Sequence, residues 1–306
     1  MRDGAEAVVA DRELGWIERL PAGVKPFAVL ARWDRPIGTW LLLLPCWWSA
    51  ALAPDAGPLD LLILFTLFAI GAIAMRGAGC TVNDLFDRDL DSQVERTRHR
   101  PLASGRLALG EALVFTAVQC AVGLIVLLFL NPFTVALCFA SVPLIALYPL
   151  AKRVTWWPQA VLGVTFNWGA LVGWAAVTGS LGPPALLLYA AGFCWTLGYD
   201  TIYAHQDKTD DEIVGVKSSA RWLGEATRPW LAGFYALTTI LLVVAGALAG
   251  LGPLYYLGLV AVAGHLTWQV RTLACNDAAN CLARFRSNRD LGLLVLAAIL
   301  AGKLIF

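Results

Sequence analysis

The chain has 306 residues, of which 58% are hydrophobic and 15% charged, with a formal net charge of +1. A soluble domain carries about 25% charged residues, and the mean hydropathy here is +0.66, so the composition excludes a soluble protein and points to an integral membrane protein solvated by membrane lipid. No basic excess exists to recruit nucleic acid.

Residues 1–30 are polar and hold Asp3, Glu6, Asp11, Glu13 and Glu18. A secretory signal needs a basic start and an apolar core, and a transit peptide avoids acids. The expectation is a short cytoplasmic lead over 1–30, followed by one membrane-embedded domain over 31–306. Apolar windows long enough to span fall near 37–53, 59–80, 111–130, 132–149, 158–178, 184–203, 229–249, 253–272 and 290–306. At about 20 residues per crossing they predict an all-α bundle of about nine transmembrane helices. The period-two alternation of a membrane barrel is absent.

Loops alternate in charge along the chain. The stretches near 54–58, 131, 179–183 and 250–253 contain no Lys or Arg. The others hold Arg32 and Arg35, then Arg88, Arg96, Arg98, Arg100 and Arg106, then Lys152 and Arg153, then Lys208, Lys217, Arg221 and Arg228, then Arg271, Arg284, Arg286 and Arg289. The positive-inside rule places these loops and the N-terminus in the cytoplasm and the C-terminus in the periplasm. The expected location is a bacterial plasma (inner) membrane.

Two basic-side loops also carry acids. The first reads Asn83-Asp84-Leu85-Phe86-Asp87-Arg88-Asp89-Leu90-Asp91. Residues four apart share a helix face, so Asn83, Asp87 and Asp91 form one polar column. The second run places Asp207 and Asp211 on another column, with Asp200 two turns behind and Asp210 beside it. Like charges at this spacing repel. One such run is ordinarily a solvated loop; two with the same spacing on the same side call for a cation. Hard oxygen ligands suit Mg²⁺, which is bound by a few carboxylates together with phosphate oxygens. The segments that follow, 84–110 and 205–228, are long enough to have structure of their own and predict a short helical cap. The seven cysteines form no CxxC and the three histidines no ligand spacing, so neither a disulfide framework nor a thiolate metal site is expected.

Arg76 lies about a turn inside the second span, where a central arginine costs about 2.5–3.5 kcal/mol on insertion scales unless it snorkels to the interface. Asn167 sits among Trp and Gly in the fifth window, where an interhelical hydrogen bond is the ordinary role. Lys152 and Arg153 fit a positive-inside anchor equally well. Taken with the aspartates, these bases complete a chemical set: carboxylates for a metal, a metal for an anion, and Lys or Arg for the remaining anion oxygens. An anion that needs a membrane cavity, Mg²⁺ and basic clamps together is a lipid diphosphate. Its loss from an allylic carbon leaves a cation, which aromatic faces stabilise and which must be shielded from water.

At this point a resemblance is evident. The string Met75-Arg76-Gly77-Ala78-Gly79-Cys80-Thr81-Val82-Asn83-Asp84-x-x-Asp87-Arg88-x-x-Asp91, continuing to Glu95-Arg96-Thr97-x-x-Arg100-Pro101-Leu102-Ala103-Ser104-Gly105, resembles the first signature of the UbiA prenyltransferase superfamily. Tyr199-Asp200-Thr201-Ile202-Tyr203-Ala204-x-x-Asp207-x-x-Asp210-Asp211, with Gly215-x-Lys217-Ser218, resembles the second. With Arg35-Pro36-Ile37-Gly38 and Phe285-Arg286-Ser287-Asn288-Arg289, the chain is most similar to the branch that prenylates 4-hydroxybenzoate in ubiquinone biosynthesis.

The resemblance implies a helical bundle around a central cavity, open to lipid and capped on one side. It also implies a Mg²⁺-dependent transfer, with about two ions, from polyprenyl diphosphate to the ring carbon ortho to the hydroxyl of 4-hydroxybenzoate. By the same resemblance Asn83, Asp87 and Asp91 bind one ion. Asp207 and Asp211 bind the second, with Asp200 and Asp210 in support. Asp87, Asp91, Asp207 and Asp211 are the catalytic carboxylates. Arg76 and Lys152 hold diphosphate oxygens, and Arg153 the acceptor carboxylate, with Lys152 and Arg153 able to exchange roles. Asp210, Tyr203 and Asn167 complete the substrate-binding candidates. Two alternatives remain: a sibling enzyme acting on homogentisate or dihydroxynaphthoate, and a cation-coupled transporter, whose acids belong nearer the bilayer midplane.

Overall fold

In a lipid environment backbone polar groups must be satisfied within the chain, and every regular element among the described residues is helical. The computed structural model describes residues 15–93, 97–145, 155–206 and 217–304. Contacts divide the chain into two compact units, one of residues 1–39 and 69–129 and the other of residues 40–68 and 130–306.

In the first unit a short helix α1 (Lys25–Leu30) precedes the start of α2 (Ile37–Leu52). The long helix α3 (Pro58–Phe86) contributes its second half, followed by the single turn α4 (Arg88–Asp91) and by α5 (Leu109–Leu127). Leu30, Leu102, Leu107 and Ala112 form a buried core flanked by Phe27, Leu85 and Phe115. The rings of Phe27 and Phe115 meet edge to face at 5.1 Å. The helices α3 and α5 approach closely through small residues, as membrane helices do: Gly77 receives the Gln119 side chain and Gly123 receives Met75. The start of α5 is fixed by Glu111, whose carboxylate accepts from the Ala108 N–H at 2.7 Å.

The second unit is built around α9 (Pro183–Ala204), which touches α7 (Pro158–Phe166), α8 (Trp168–Thr178), α11 (Thr227–Leu248) and α13 (Ala278–Arg286). The remaining elements are α6 (Pro132–Ala140), α10 (Ser219–Leu223), α12 (Pro253–Thr272) and α14 (Asn288–Lys303). Glycines set the spacing again. Gly169 and Gly173 of α8 admit the Cys46 region of α2, Gly198 of α9 admits the Tyr235 ring, and Gly246 of α11 admits Tyr255. A side chain at Gly173 would strike the Cys46 carbonyl itself, a clash that no rotamer change can relieve.

The windows read from the sequence become helices with shifted ends. The second window continues past residue 80 as helix to Phe86, so the first acidic column starts inside α3. The window 158–178 is interrupted at Asn167, whose side-chain amide bonds the Gly163 carbonyl at 2.8 Å and separates α7 from α8. Pro158–Thr178 still counts as one candidate span beside Pro58–Phe86, Leu109–Leu127 and Ser219–Leu248, with Ile37–Leu52 and Pro132–Ile145 as shorter apolar helices. Four helices had no apolar window: α1, α4 and α10, each of six residues or fewer, and α13. The last of these is capped by Asp277, which accepts from the Ala279 and Asn280 N–H groups at 3.0 and 3.1 Å.

Candidate active site

The first acidic run straddles a break in the helix. α3 ends at Phe86 and α4 begins at Arg88, yet the helical ladder continues: the Asp87 N–H donates to the Asn83 carbonyl at 3.0 Å and the Asp91 N–H to the Asp87 carbonyl at 2.7 Å. The i, i+4 register of Asn83, Asp87 and Asp91 therefore survives the break. Their side chains have different partners. Asn83 donates its amide to Asp87 Oδ2 at 3.2 Å. Asp91 accepts instead from Arg100, at 2.6 Å.

Asp84, given no role by the sequence, is the most deeply buried acid of the run. Its side chain is 1% exposed and accepts from Arg32 at 2.6 Å and from Arg100 at 3.1 Å. Arg100 thus bridges Asp84 and Asp91, and the Thr97 hydroxyl donates to the Asp91 carbonyl at 3.0 Å. Burial pushes the Asp91 carboxyl above the ordinary aspartate range, and the Arg100 guanidinium pulls it only partly back. Arg32 is held with a left-handed backbone, φ 60°, which costs a non-glycine residue about 1 kcal/mol. The Asp84 ion pair and the Trp33 N–H to Ala28 carbonyl bond, 2.9 Å, hold it there. The available signal was the count of bases: Arg32 and Arg100 fall beside an acid that no metal column needs.

Arg76 is half-buried on α3, two turns before Asn83. Its guanidinium lies against Gly38 in the first turn of α2, so closely that a Cβ on Gly38 would overlap it. The side chain is packed on protein at this point.

The second run begins at the end of α9. Asp200 and Tyr203 are half-buried one turn apart, and the Tyr203 ring packs on Phe285 with centroids 4.5 Å apart. His205 is buried, with Nε2 at 3.0 Å from Thr227 Oγ1. Behind them the Thr201 hydroxyl accepts from the Gln159 amide at 3.1 Å. Asp207, Asp210 and Asp211, like Lys152 and Arg153, lie outside the described residues. Asn167 is 1% exposed, and its amide donates to the Gly163 carbonyl and to Thr196 Oγ1, each at 2.8 Å. Its amide donors are used within the second unit.

Among the described residues no three acidic, His or Cys groups converge as a metal site. What is present fits half of one. Asp87 differs from Asp84 and Asp91 in that no arginine is paired with it. With its amide N–H turned to Asp87, Asn83 keeps the lone pairs of Oδ1 as a possible metal ligand. An amide oxygen and a carboxylate on successive turns suit a hard cation. Asp91 holds Arg100 through Oδ2 alone.

The model of the UbiA prenyltransferase family matches residues 42–295. The chain belongs to that family. It is 47% identical to "4-hydroxybenzoate polyprenyltransferase, mitochondrial" of Arabidopsis thaliana over 99% of this chain and 74% of the relative. The protein of the same name from Rattus norvegicus is 48% identical over 94% of this chain and 77% of the relative. Among solved structures, the apo form of a UbiA homolog from Aeropyrum pernix K1 superposes with a TM-score of 0.66 at 25% identity, covering 87% of this chain and 97% of that one. A UbiA homolog from Archaeoglobus fulgidus, bound to GPP and Mg²⁺, shares the fold with a TM-score of 0.58 at 17% identity, covering 89% of this chain and 99% of that one.

One expectation is corrected by these relatives. The bacterial plasma membrane is overturned, because the similar enzymes are mitochondrial proteins of a plant and an animal. Loop charge reports which loops share a face of a bilayer; it carries no information about which bilayer.

Proposed function

We propose that this UbiA-family prenyltransferase transfers a polyprenyl group from polyprenyl diphosphate to position 3 of 4-hydroxybenzoate, as a step of ubiquinone biosynthesis. The carrying observation is the near-full-length likeness, 47–48% identical, to enzymes named for that acceptor. The alternative acceptors, homogentisate and dihydroxynaphthoate, have no comparable support.

The Asn83–Asp87 pair supports a role in holding Mg²⁺, with Asp91, Asp200, Asp207 and Asp211 completing two sites. GPP and Mg²⁺ occur together in the Archaeoglobus protein. When bound, the metal supplies Lewis-acid neutralisation of the diphosphate's charge. Arg76 and Lys152 clamp diphosphate oxygens, with Asp210 in support. A guanidinium offers its planar fork to them. Arg153 pairs with the acceptor carboxylate, and the phenol oxygen then directs substitution to the ortho carbon. Holding the acid at one end and the allylic carbon at the other fixes which ring carbon is presented. The Tyr203–Phe285 pair offers aromatic faces to a developing cation. Segments 84–110 and 205–228 cover this chemistry on the basic-loop side.

The test supplies purified protein with radiolabelled 4-hydroxybenzoate and prenyl diphosphates of several lengths, with Mg²⁺ and with EDTA. Prenylated 4-hydroxybenzoate that forms only with the metal is expected. Product on homogentisate alone would reassign the acceptor, and full activity in chelator would remove the metal.

A further inference from the structure

One residue packed against Arg76 in the first unit has no side chain. Gly38 lies in the first turn of α2, and an ideal Cβ built on it would fall inside the Arg76 guanidinium, meeting Cζ, Nη2 and Nε. These are the atoms of the planar fork, the part of arginine that sets the direction of its donors. Gly38 has ordinary helical neighbours and none of the left-handed geometry that would call for glycine on backbone grounds. Glycine in a helix costs about 0.5–1 kcal/mol relative to alanine, so its presence here needs another reason.

A second feature of the place favours an anion. The first turn of α2 carries the positive end of a sixteen-residue helix. A guanidinium laid against that end stands next to like partial charge. An anion that bridges both relieves the repulsion. The same unit uses this construction once more, where the Gln119 amide is seated on Gly77, the residue after Arg76. Rotation of α3 at this level is thereby fixed by one polar contact on each side.

We propose that Gly38 is a positioning residue for the diphosphate: its missing side chain forms the slot that holds the Arg76 guanidinium flat on α2 and aims its fork at the diphosphate oxygens. This rests on the reading of Arg76 as a diphosphate clamp. It explains why a glycine directly follows Arg35-Pro36-Ile37 at the mouth of the helix.

The experiment compares the full-length enzyme with Gly38→Ala, Arg76→Lys, Arg76→Ala and the double variant Gly38→Ala/Arg76→Lys. KM is measured for each substrate, and Kd for inorganic diphosphate by calorimetry. Gly38→Ala is expected to raise KM for polyprenyl diphosphate and Kd for inorganic diphosphate about tenfold, the scale of one misaligned charge-assisted contact, and to leave KM for 4-hydroxybenzoate within about twofold. A lysine has a thin stem and no fork, so adding Gly38→Ala to Arg76→Lys should cost less than about a further twofold. Multiplicative losses in the double variant, or equal losses for both substrates, would overturn the slot. Arg76→Ala separates the layers. If it leaves diphosphate binding intact, the clamp reading itself fails. If it weakens binding and Gly38→Ala does not, only the slot fails. Should Gly38→Ala not accumulate in the membrane, the double variant must recover it, since the colliding fork is gone; continued failure to accumulate would also overturn the proposal.

Discussion

Both units bury polar groups, and they neutralise them in different ways. In the first, Asp84 sits between Arg32 and Arg100, and Arg100 continues to Asp91. In the second, the buried polar side chains among the described residues include no Asp, Glu, Lys or Arg. The Trp195 indole N–H donates to Asn288 at 2.8 Å, Thr196 to the Tyr199 hydroxyl at 3.1 Å, and the Tyr235 hydroxyl to Gln269 at 2.8 Å. Charges are costly away from water and are strongly destabilising when one partner is removed, whereas a neutral interhelical bond in membrane proteins contributes about 0.6 kcal/mol on average. A unit assembled from neutral bonds holds helices together with little at stake in each contact. A unit assembled from ion pairs keeps several full charges close to Asp87, a carboxylate with no arginine paired to it among the described residues.

The largest effect is expected at that carboxylate. Asp87→Ala should reduce turnover at least about a thousandfold, the several kcal/mol that a bound Lewis acid supplies, with thermal stability in detergent nearly unchanged. A folded variant that retains most of its activity would take Asp87 out of the metal site. EDTA should reproduce the loss in the unaltered enzyme and Mg²⁺ reverse it.

Next comes the anchor. Asp84→Ala leaves Arg32 and Arg100 side by side without their shared acceptor, in a place where the lost side chain was 1% exposed. Breaking such a pair costs about 3 kcal/mol, read as a lower melting temperature and poorer accumulation. Arg32 also loses what holds its left-handed turn. Stability within about 0.5 kcal/mol of the unaltered protein would mean that the network is solvated and the contrast between the units is false.

Much of this was legible in the sequence, and the limits have physical causes. Apolar windows located the helices because lipid demands long apolar runs; they missed α13, whose face is mixed and whose start is set by the Asp277 cap. The i, i+4 acids predicted a column that persists across the α3–α4 break. What spacing could not reveal was the partner of each acid. Asp84, Asp87 and Asp91 look alike in a string, and only the fold brings Arg32 from 52 positions away to one of them. Spacing likewise could not show that the Asn167 amide donates to Thr196, 29 positions on.

The neutral unit should respond more gently. Asn167→Ala removes two donor bonds, to the Gly163 carbonyl and Thr196, and should cost about 1–2 kcal/mol, with KM for both substrates close to unaltered. A selective rise in KM for one substrate would return Asn167 to the binding site and give the second unit a chemical role in its buried polar groups.

The smallest effect is expected where one neutral bond is deleted and the shape is kept. Trp195→Phe preserves an aromatic ring in the cluster with Trp48, centroids 5.1 Å apart, and Tyr199, 5.0 Å. It removes only the N–H that Asn288 accepts at 2.8 Å. Asn288 keeps its own donor bonds to the Arg284 and Phe285 carbonyls, so its orientation stays fixed and one buried oxygen is left unpaired. That penalty, together with the smaller ring, should total about 1–2 kcal/mol, read as a shift of a few degrees in melting temperature. Activity at saturating substrate should remain near that of the unaltered enzyme, because no charge near Asp87 has moved. A loss comparable to that of Asp84→Ala would show that this neutral bond is as costly to break as the ion pairs, and that burial, not charge, decides what each unit tolerates.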